Sequence, residues 1–216
     1  EVETAAAILA GTRPTAVNLI WGVNRVLARV REAGDPAEAR RIAVREAVLM
    51  AEEDRATCLR IGKNGADLIP DGATVLTHCN AGALACTEWG TALGVIRSAA
   101  RDGKRVKVIA CETRPLFQGA RLTAWELLRD GMEVSVIPDG AAASLMRRGR
   151  IDLILVGADR ITRDAVFNKI GTYMHAVCAR PHGIPFYGAA PRSTFDSGST
   201  EAAVIIEERA REEMSR

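Results

Sequence analysis

The chain has 216 residues, 48% of them apolar and 26% charged, which fits one substantial globular domain with or without a helical appendage and excludes a disordered chain. Lys and Arg number 29 against 27 Asp and Glu, for a net charge of +2. That field is too weak to gather a polyanion and no local basic run adds to it, so nucleic acid is not expected as a partner.

Two helices are expected first. Val17, Ile20, Val23, Leu27 and Val30 recur at three- and four-residue steps, and Gly34 follows where a helix should stop. Asp35-Pro36-Ala37-Glu38 reads as an N-cap, a Pro at the first helical position and a Glu closing a capping box. Ala39, Ile42, Ala43, Ala47 and Met50 then share one face of a helix running to about Leu59, before Gly62-Lys63-Asn64-Gly65 and Pro70-Asp71-Gly72 break the pattern. Residues 1–72 are therefore read as a helical segment, the cap or remnant of an N-terminal domain, and residues 73–216 as a Rossmann-like catalytic domain.

From Ala73 onward, short apolar runs at 74–76, 106–110, 134–137, 153–156, 185–187 and 204–206 alternate with stretches such as 90–101 and 121–129, long enough for crossover helices. The run 151–156 is apolar on both faces around Asp152, as in a central parallel strand covered from both sides. The fold class expected is α/β, a doubly wound, mainly parallel Rossmann-like sheet preceded by an N-terminal helical segment.

In such sheets ligands bind beyond the carboxyl ends of the strands. The residues there are Thr77-His78-Cys79-Asn80-Ala81-Gly82, Cys111-Glu112-Thr113-Arg114-Pro115, Pro138-Asp139-Gly140-Ala141, Gly157-Ala158-Asp159-Arg160 and Ala189-Ala190-Pro191-Arg192-Ser193-Thr194. Such polar and small residues favour a small-molecule site. Cys79, placed before a Gly and an expected helix start, fits either a thiol of lowered pKa or a small buried hydrophobe. Asp159 follows the most apolar strand and fits either a desolvated proton-transfer group or a helix N-cap. Asn168-Lys169 suits a phosphate or polyol, or a plain solvated lysine.

Several chemistries are excluded. A cysteine-dependent phosphatase needs an Arg six residues after the Cys, where Ala85 stands. Nucleotide-binding glycine motifs are missing, and three scattered His residues offer no metal-ligand spacing, so neither a nucleotide nor a metal is expected. Five cysteines without a C-x-x-C pair point to free thiols in the cytoplasm; Cys58, Cys86, Cys111 and Cys178 are read as packing residues. No run reaches the ~18 apolar residues of a membrane span, and Glu1-Val2-Glu3-Thr4 has no basic leader character.

Arg13-Pro14-Thr15-Ala16-Val17-Asn18-Leu19, Thr77-His78-Cys79-Asn80-Ala81-Gly82, Glu112-Thr113-Arg114-Pro115, Gln118-Gly119-Ala120-Arg121-Leu122-Thr123-Ala124-Trp125-Glu126-Leu127, Gly157-Ala158-Asp159-Arg160-Ile161 and Asn168-Lys169-Ile170-Gly171-Thr172-Tyr173 together resemble the methylthioribose-1-phosphate isomerases of methionine salvage. The wider family includes ribose-1,5-bisphosphate isomerases and regulatory subunits of translation initiation factor 2B. Ala81 after His78-Cys79-Asn80 is similar to the methylthioribose branch.

The resemblance implies a cofactor-free aldose-to-ketose isomerisation of 5-methylthioribose 1-phosphate to 5-methylthioribulose 1-phosphate by a cytoplasmic homodimer. It implies Asp159 as general acid/base and Cys79 as its partner at C1 and C2. Arg13, Gln118, Asn168 and Lys169 match the substrate-binding positions. The alternatives it leaves are another ribose phosphate as substrate, or a non-catalytic regulatory module. Two departures stand out: family members carry an Arg-Gly-Ala motif ahead of the match, which this sequence does not show before Arg13, and residues 162–167 are shortened, with Phe167 replacing a small residue.

Overall fold

The computed structural model describes residues 2–12, 17–206, 208 and 210–215. Three helices open the chain rather than the two expected: α1 (Val2–Gly11), α2 (Val17–Val30) and α3 (Pro36–Ala66). The first escapes pattern reading because its alanines give little contrast between faces, and only Ala6 is buried. At the start of α3 the Asp35 side chain accepts the Glu38 amide at 2.8 Å, while the Glu38 carboxylate accepts the Gly34 amide at 2.8 Å. The capping box is thus present, with its return bond one residue earlier than usual. Arg25 of α2 clamps α3 through Glu46 at 2.6 Å and Glu53.

α3 runs 31 residues, well past Leu59, through the glycines that read as a stop. Tertiary packing overrides that signal. A Cβ on Gly62 would meet the Gly94 carbonyl oxygen at 2.8 Å and Trp89 Nε1 at 2.9 Å, so the small residue is what lets α3 lie against the helix over Ala92–Arg101, α4. The helical segment is therefore laid directly onto the sheet's own layer of helices.

The remaining elements are β1 (Thr74–Thr77), β2 (Lys107–Cys111), a π-helical turn over Gly119–Thr123 running into α5 (Ala124–Arg129), β3 (Glu133–Ile137), α6 (Ala142–Arg147), β4 (Leu153–Val156), the short strands β5 (Arg160–Ile161) and β6 (Val166–Phe167), α7 (Thr172–Ala179) and β7 (Phe186–Gly188). Five strands form one parallel sheet in the order β3-β2-β1-β4-β7. Alternation in the central strands splits the core into two layers. Val75, Leu153 and Leu155 pack with Leu93 and Ile96 of α4 and Leu127 of α5, whereas Leu76, Ile154 and Val156 pack with Met146 of α6 and Ala179 of α7. Every residue of β4 is buried, as its uninterrupted apolar run requires.

One expected strand is not formed. Residues 204–206 follow a 3₁₀ turn at Glu201–Ala203 and have no ladder partner among the described residues; Ile205 is 87% exposed and Ile206 69%. An apolar run alone does not make a strand without an edge to pair with, and the chain has already left β7 through the turn Arg192–Thr194. No described helix is long and apolar enough to cross a membrane.

Gly62→Ala overpacks the α3–α4 seam and should destabilise the protein by about 1–3 kcal/mol, read as a lower urea midpoint at unchanged m-value. An unaltered midpoint would show that the seam is loose.

Candidate functional site

Strand order reverses between β1 and β4. From β1 the chain winds outward through β2 to β3, then crosses back to lay β4 on the other side of β1. At such a reversal the connections diverge and leave a crevice beyond the strand ends. β1 and β4 are hydrogen-bonded neighbours, with Val75 opposite Leu153 and Leu76 opposite Ile154. Cys79 lies two residues beyond the end of β1 and Asp159 three beyond the end of β4, so both candidates follow adjacent strands at the same end of the sheet. Both are half-buried.

The backbone at Cys79 is held in the left-handed region with φ 67°, and so is Thr113 at the end of β2, also at 67°. A non-glycine residue there costs on the order of 1–3 kcal/mol and persists only when its surroundings over-determine it. They do. The Thr113 hydroxyl accepts the Cys79 amide at 2.9 Å while donating to the Cys111 carbonyl at 3.0 Å. Asp139 receives the Thr113 and Arg114 amides, each at 2.8 Å. The Thr123 hydroxyl donates to the Cys79 carbonyl at 2.6 Å and accepts from Asn80 at 3.1 Å.

Asn80 also donates to Glu126, which takes the Ala83 and Leu84 amides and pairs with Arg97 at 2.8 Å. Burial raises the Glu126 carboxyl, but bonds from Asn80, Arg97 and those amides outweigh it and keep it below its ordinary value. The thiol-bearing loop is thereby tied to β2, α4 and α5.

On its other side the loop meets the Asn168-Lys169 segment. His78 Nε2 donates to the Ile170 carbonyl at 2.7 Å, which leaves Nδ1 of a neutral ring as acceptor for His175 Nε2 at 3.2 Å. Burial, and then the neighbouring His78, push His175 down to about 4; burial also lowers His78, against the pull of the Ile170 carbonyl and Asp139. Cys111, beside this pair, is pushed up to about 12, chiefly by burial, and stays a thiol. Lys169 lies close enough to His78 to oppose its protonation. Asn168 Nδ2 donates to the Thr172 hydroxyl at 3.0 Å.

The Asp159 amide donates to the Phe167 carbonyl at 2.8 Å across the β5–β6 ribbon, which sets Asp159 beside Asn168. Between them the chain turns at Thr162, whose hydroxyl donates to Asp164 at 2.9 Å and accepts the Ala165 amide at 3.1 Å. Gln118 enters from β2, where Gly119 sits so close to the Cys111 carbonyl that any Cβ would collide with it. Gln118 Oε1 is buried without a hydrogen-bond partner among the described residues. Arg13 lies outside the described residues; α2 begins four residues later, and Asn18 bonds Thr194 at 2.9 Å at the carboxyl end of the sheet.

The structure therefore gathers Cys79, Asp159, Gln118, Asn168 and Lys169 at one end of the sheet. It corrects several readings. The first α-helix after Cys79 starts only at Ala92, so a helix dipole is not what acts on this thiol. Asp159 precedes a strand, not a helix, so it is no N-cap. The histidines are not all scattered: two of the three stack edge to face with centroids 4.7 Å apart. Sequence pattern assigns no role to Thr113, Thr123, Asp139 or His175, because their partners lie in distant segments; only Thr113 and Asp139 stand just past apolar runs.

The profile of the initiation factor 2 subunit family, IF-2B, matches residues 1–216. The chain belongs to that family. Among similar IF-2B relatives, the methylthioribose-1-phosphate isomerase of Thermotoga maritima is 56% identical over 96% of this chain and 61% of its own length. That of Thermosipho africanus is 50% identical over 100% of this chain and 63% of its own. The crystal structure of 5-methylthioribose 1-phosphate isomerase from Pyrococcus horikoshii OT3 superposes with TM-score 0.87 at 49% identity, covering 98% of this chain and 60% of that one. An A. fulgidus structure described as translation initiation factor eIF-2B, subunit delta, gives 0.85 at 54%, covering 99% and 63%. The chain spans about three fifths of the length of the curated relatives it matches.

In this IF-2B chain the buried histidine pair makes stability depend on pH. His175 titrates near about 4 when folded against 6.5 in the open chain, so folding disfavours its protonation. The penalty is absent above pH 6.5 and grows as pH falls, to on the order of 3 kcal/mol below about 4. Unfolding free energy should drop across that window, and less so in His175→Gln; identical slopes would show that the pair does not titrate as placed.

Proposed function

We propose that this chain carries the chemistry of an aldose–ketose isomerase that converts 5-methylthioribose 1-phosphate to 5-methylthioribulose 1-phosphate in methionine salvage. The observation that carries the reading is the emergence of Cys79 and Asp159 from hydrogen-bonded neighbouring strands at the reversal of the sheet, in a chain half-identical to relatives named for that reaction. Residues 73–216 supply the reacting groups, with residues 1–72 as their cap.

The chemistry asks for little more. Phosphate on the anomeric oxygen locks the sugar as a ring, so the ring oxygen must be protonated before C1 and C2 can exchange oxidation level. Asp159 is the group for that step and for the C2 hydroxyl proton as the ketone forms. Cys79 acts at C1 and C2, on a loop whose backbone is already fixed by Thr113 and Thr123, so little reorganisation is required during turnover. Lys169, together with Arg13, neutralises phosphate. Gln118, whose buried amide oxygen has no partner among the described residues, and Asn168 hold sugar hydroxyls. The reaction is internally balanced in electrons and needs no cofactor.

The same reading entails a cytoplasmic homodimer. Tyr173, Met174 and Val177 form an exposed apolar stripe along α7, spaced as one helix face, with exposed Ile170 just ahead of the helix, which suits a second copy. A regulatory, non-catalytic role is the second reading, favoured by the likeness to the structure described as eIF-2B subunit delta.

The test follows ketose formation by NMR, using the purified protein and 5-methylthioribose 1-phosphate. Turnover is expected, with Cys79→Ser and Asp159→Asn each lowering it about 10² to 10⁴-fold at unchanged folding. Turnover in both variants near the parent level would remove these residues from the mechanism. No turnover in a folded parent that forms a stable complex with another protein would favour the regulatory role.

Thr113 and Gly119 offer a check on positioning. Thr113→Val removes the acceptor for the Cys79 amide, and Gly119→Ala forces the Gln118 turn off the Cys111 carbonyl. The first should lower kcat at nearly constant KM, the second chiefly raise KM. The reverse pattern would overturn these assignments.

A further inference from the structure

Away from the crevice, three potential metal ligands converge between α3 and the loop that leads into α4. Asp54 and Cys58 stand one helical turn apart on α3, hence on one face. Cys86 follows the 3₁₀ turn at Ala83–Ala85. One oxygen of Asp54, the Cys58 sulfur and the Cys86 sulfur all lie within 4.8 Å of one another. Cys58 Sγ is 3.9 Å from Asp54 Oδ1, against an edge of about 3.8 Å for tetrahedral ligands around a zinc with Zn–S of ~2.3 Å. From this geometry we propose that Asp54, Cys58 and Cys86 form a binding site for a thiol-seeking divalent cation of the zinc class.

The surroundings are those of a ligand set. The second Asp54 oxygen accepts the Thr87 amide at 2.8 Å, which orients the carboxylate and turns its other oxygen toward the sulfurs. The two thiols contact each other, Cys58 held above and Cys86 below its ordinary value chiefly by that mutual hydrogen bond. The acidic groups that bear on Cys86 are Asp54 and Glu126, a field that favours a cation. Cys58 is fully buried, while Asp54 and Cys86 are half-exposed. Three protein ligands with one side open leave the fourth position to water.

Packing alone accounts for a buried Cys58 but not for a carboxylate directed at two touching thiols. The other cluster, His78, Cys111 and His175, differs in that its imidazoles are already committed to each other and to the Ile170 carbonyl.

A cation here would staple α3 to the loop between the Cys79 motif and α4. The same loop is tied to α3 by the Arg55–Glu88 ion pair at 2.7 Å. The site is independent of the isomerase reading, and its test does not measure turnover.

The experiment is anaerobic titration of the reduced, chelator-treated protein with Co²⁺, read by the thiolate-to-cobalt charge-transfer band, and with Zn²⁺, read by thermal unfolding. One equivalent of Co²⁺ should give the band, and Zn²⁺ should raise the unfolding temperature. Cys86→Ser and Asp54→Asn, both at half-exposed positions, should weaken binding at least tenfold while folding normally by circular dichroism; Cys58→Ser should abolish it. Absence of the band and of the thermal shift in the parent would overturn the proposal. So would a band that survives in Cys86→Ser, or thiol counts showing that 58 and 86 form a disulfide that must be intact for the loop to hold.

Discussion

Parallel pairing of β1 with β4, while β1 also pairs with β2, is the constraint on which the rest of this molecule depends. It places the reversal of winding at the middle of the sheet, so the loops after the two most buried strands diverge and leave a crevice. Strands of a sheet lie only about 4.8 Å apart, so two side chains that leave neighbouring strand ends are brought within reach of one small molecule without any long loop to position them. A site built this way inherits the rigidity of the core beneath it.

That rigidity is reinforced where the backbone is least comfortable. Cys79 and Thr113 adopt left-handed conformations side by side, and the Thr113 hydroxyl joins them with one donated and one accepted bond. Asp139 and Glu126 then satisfy the amides of both loops. Three polar side chains thus convert local strain into a defined position for the thiol. The histidine pair plays the matching part on the opposite side, kept neutral by burial so that one ring can donate to the Ile170 carbonyl and the other can support it. The Cys79 loop and the Asn168-Lys169 segment are in this way built from one hydrogen-bonded body.

Legibility in the sequence followed the range of the interaction. Strands β1 to β4 and helices α2 to α5 announced themselves through periodicity, because local alternation records which faces are buried. The run at 204–206 misled for the same reason: apolar character was present, but a strand also needs a partner edge. Gly62 and Gly65 looked like helix stops and are instead the surface on which α3 meets α4. Cys79 and Asp159 were found through their position after apolar runs and through resemblance. The physical grounds first attached to them, a helix start after Cys79 and an N-cap alternative for Asp159, are replaced by a strained turn and a short ribbon.

The sequence by itself determined the class of fold, the order of most of its elements and the group of strand-end residues from which a site could be drawn, since each is encoded in neighbours a few positions apart. Only the tertiary structure decided that His175 supports His78, that Thr113 holds the Cys79 amide, and that Asp54, Cys58 and Cys86 converge. Those contacts join residues between 28 and 97 positions apart, or one helical turn apart across a packed seam. No local pattern records them, because they are created when α3, α4 and the switch-point strands pack into one core.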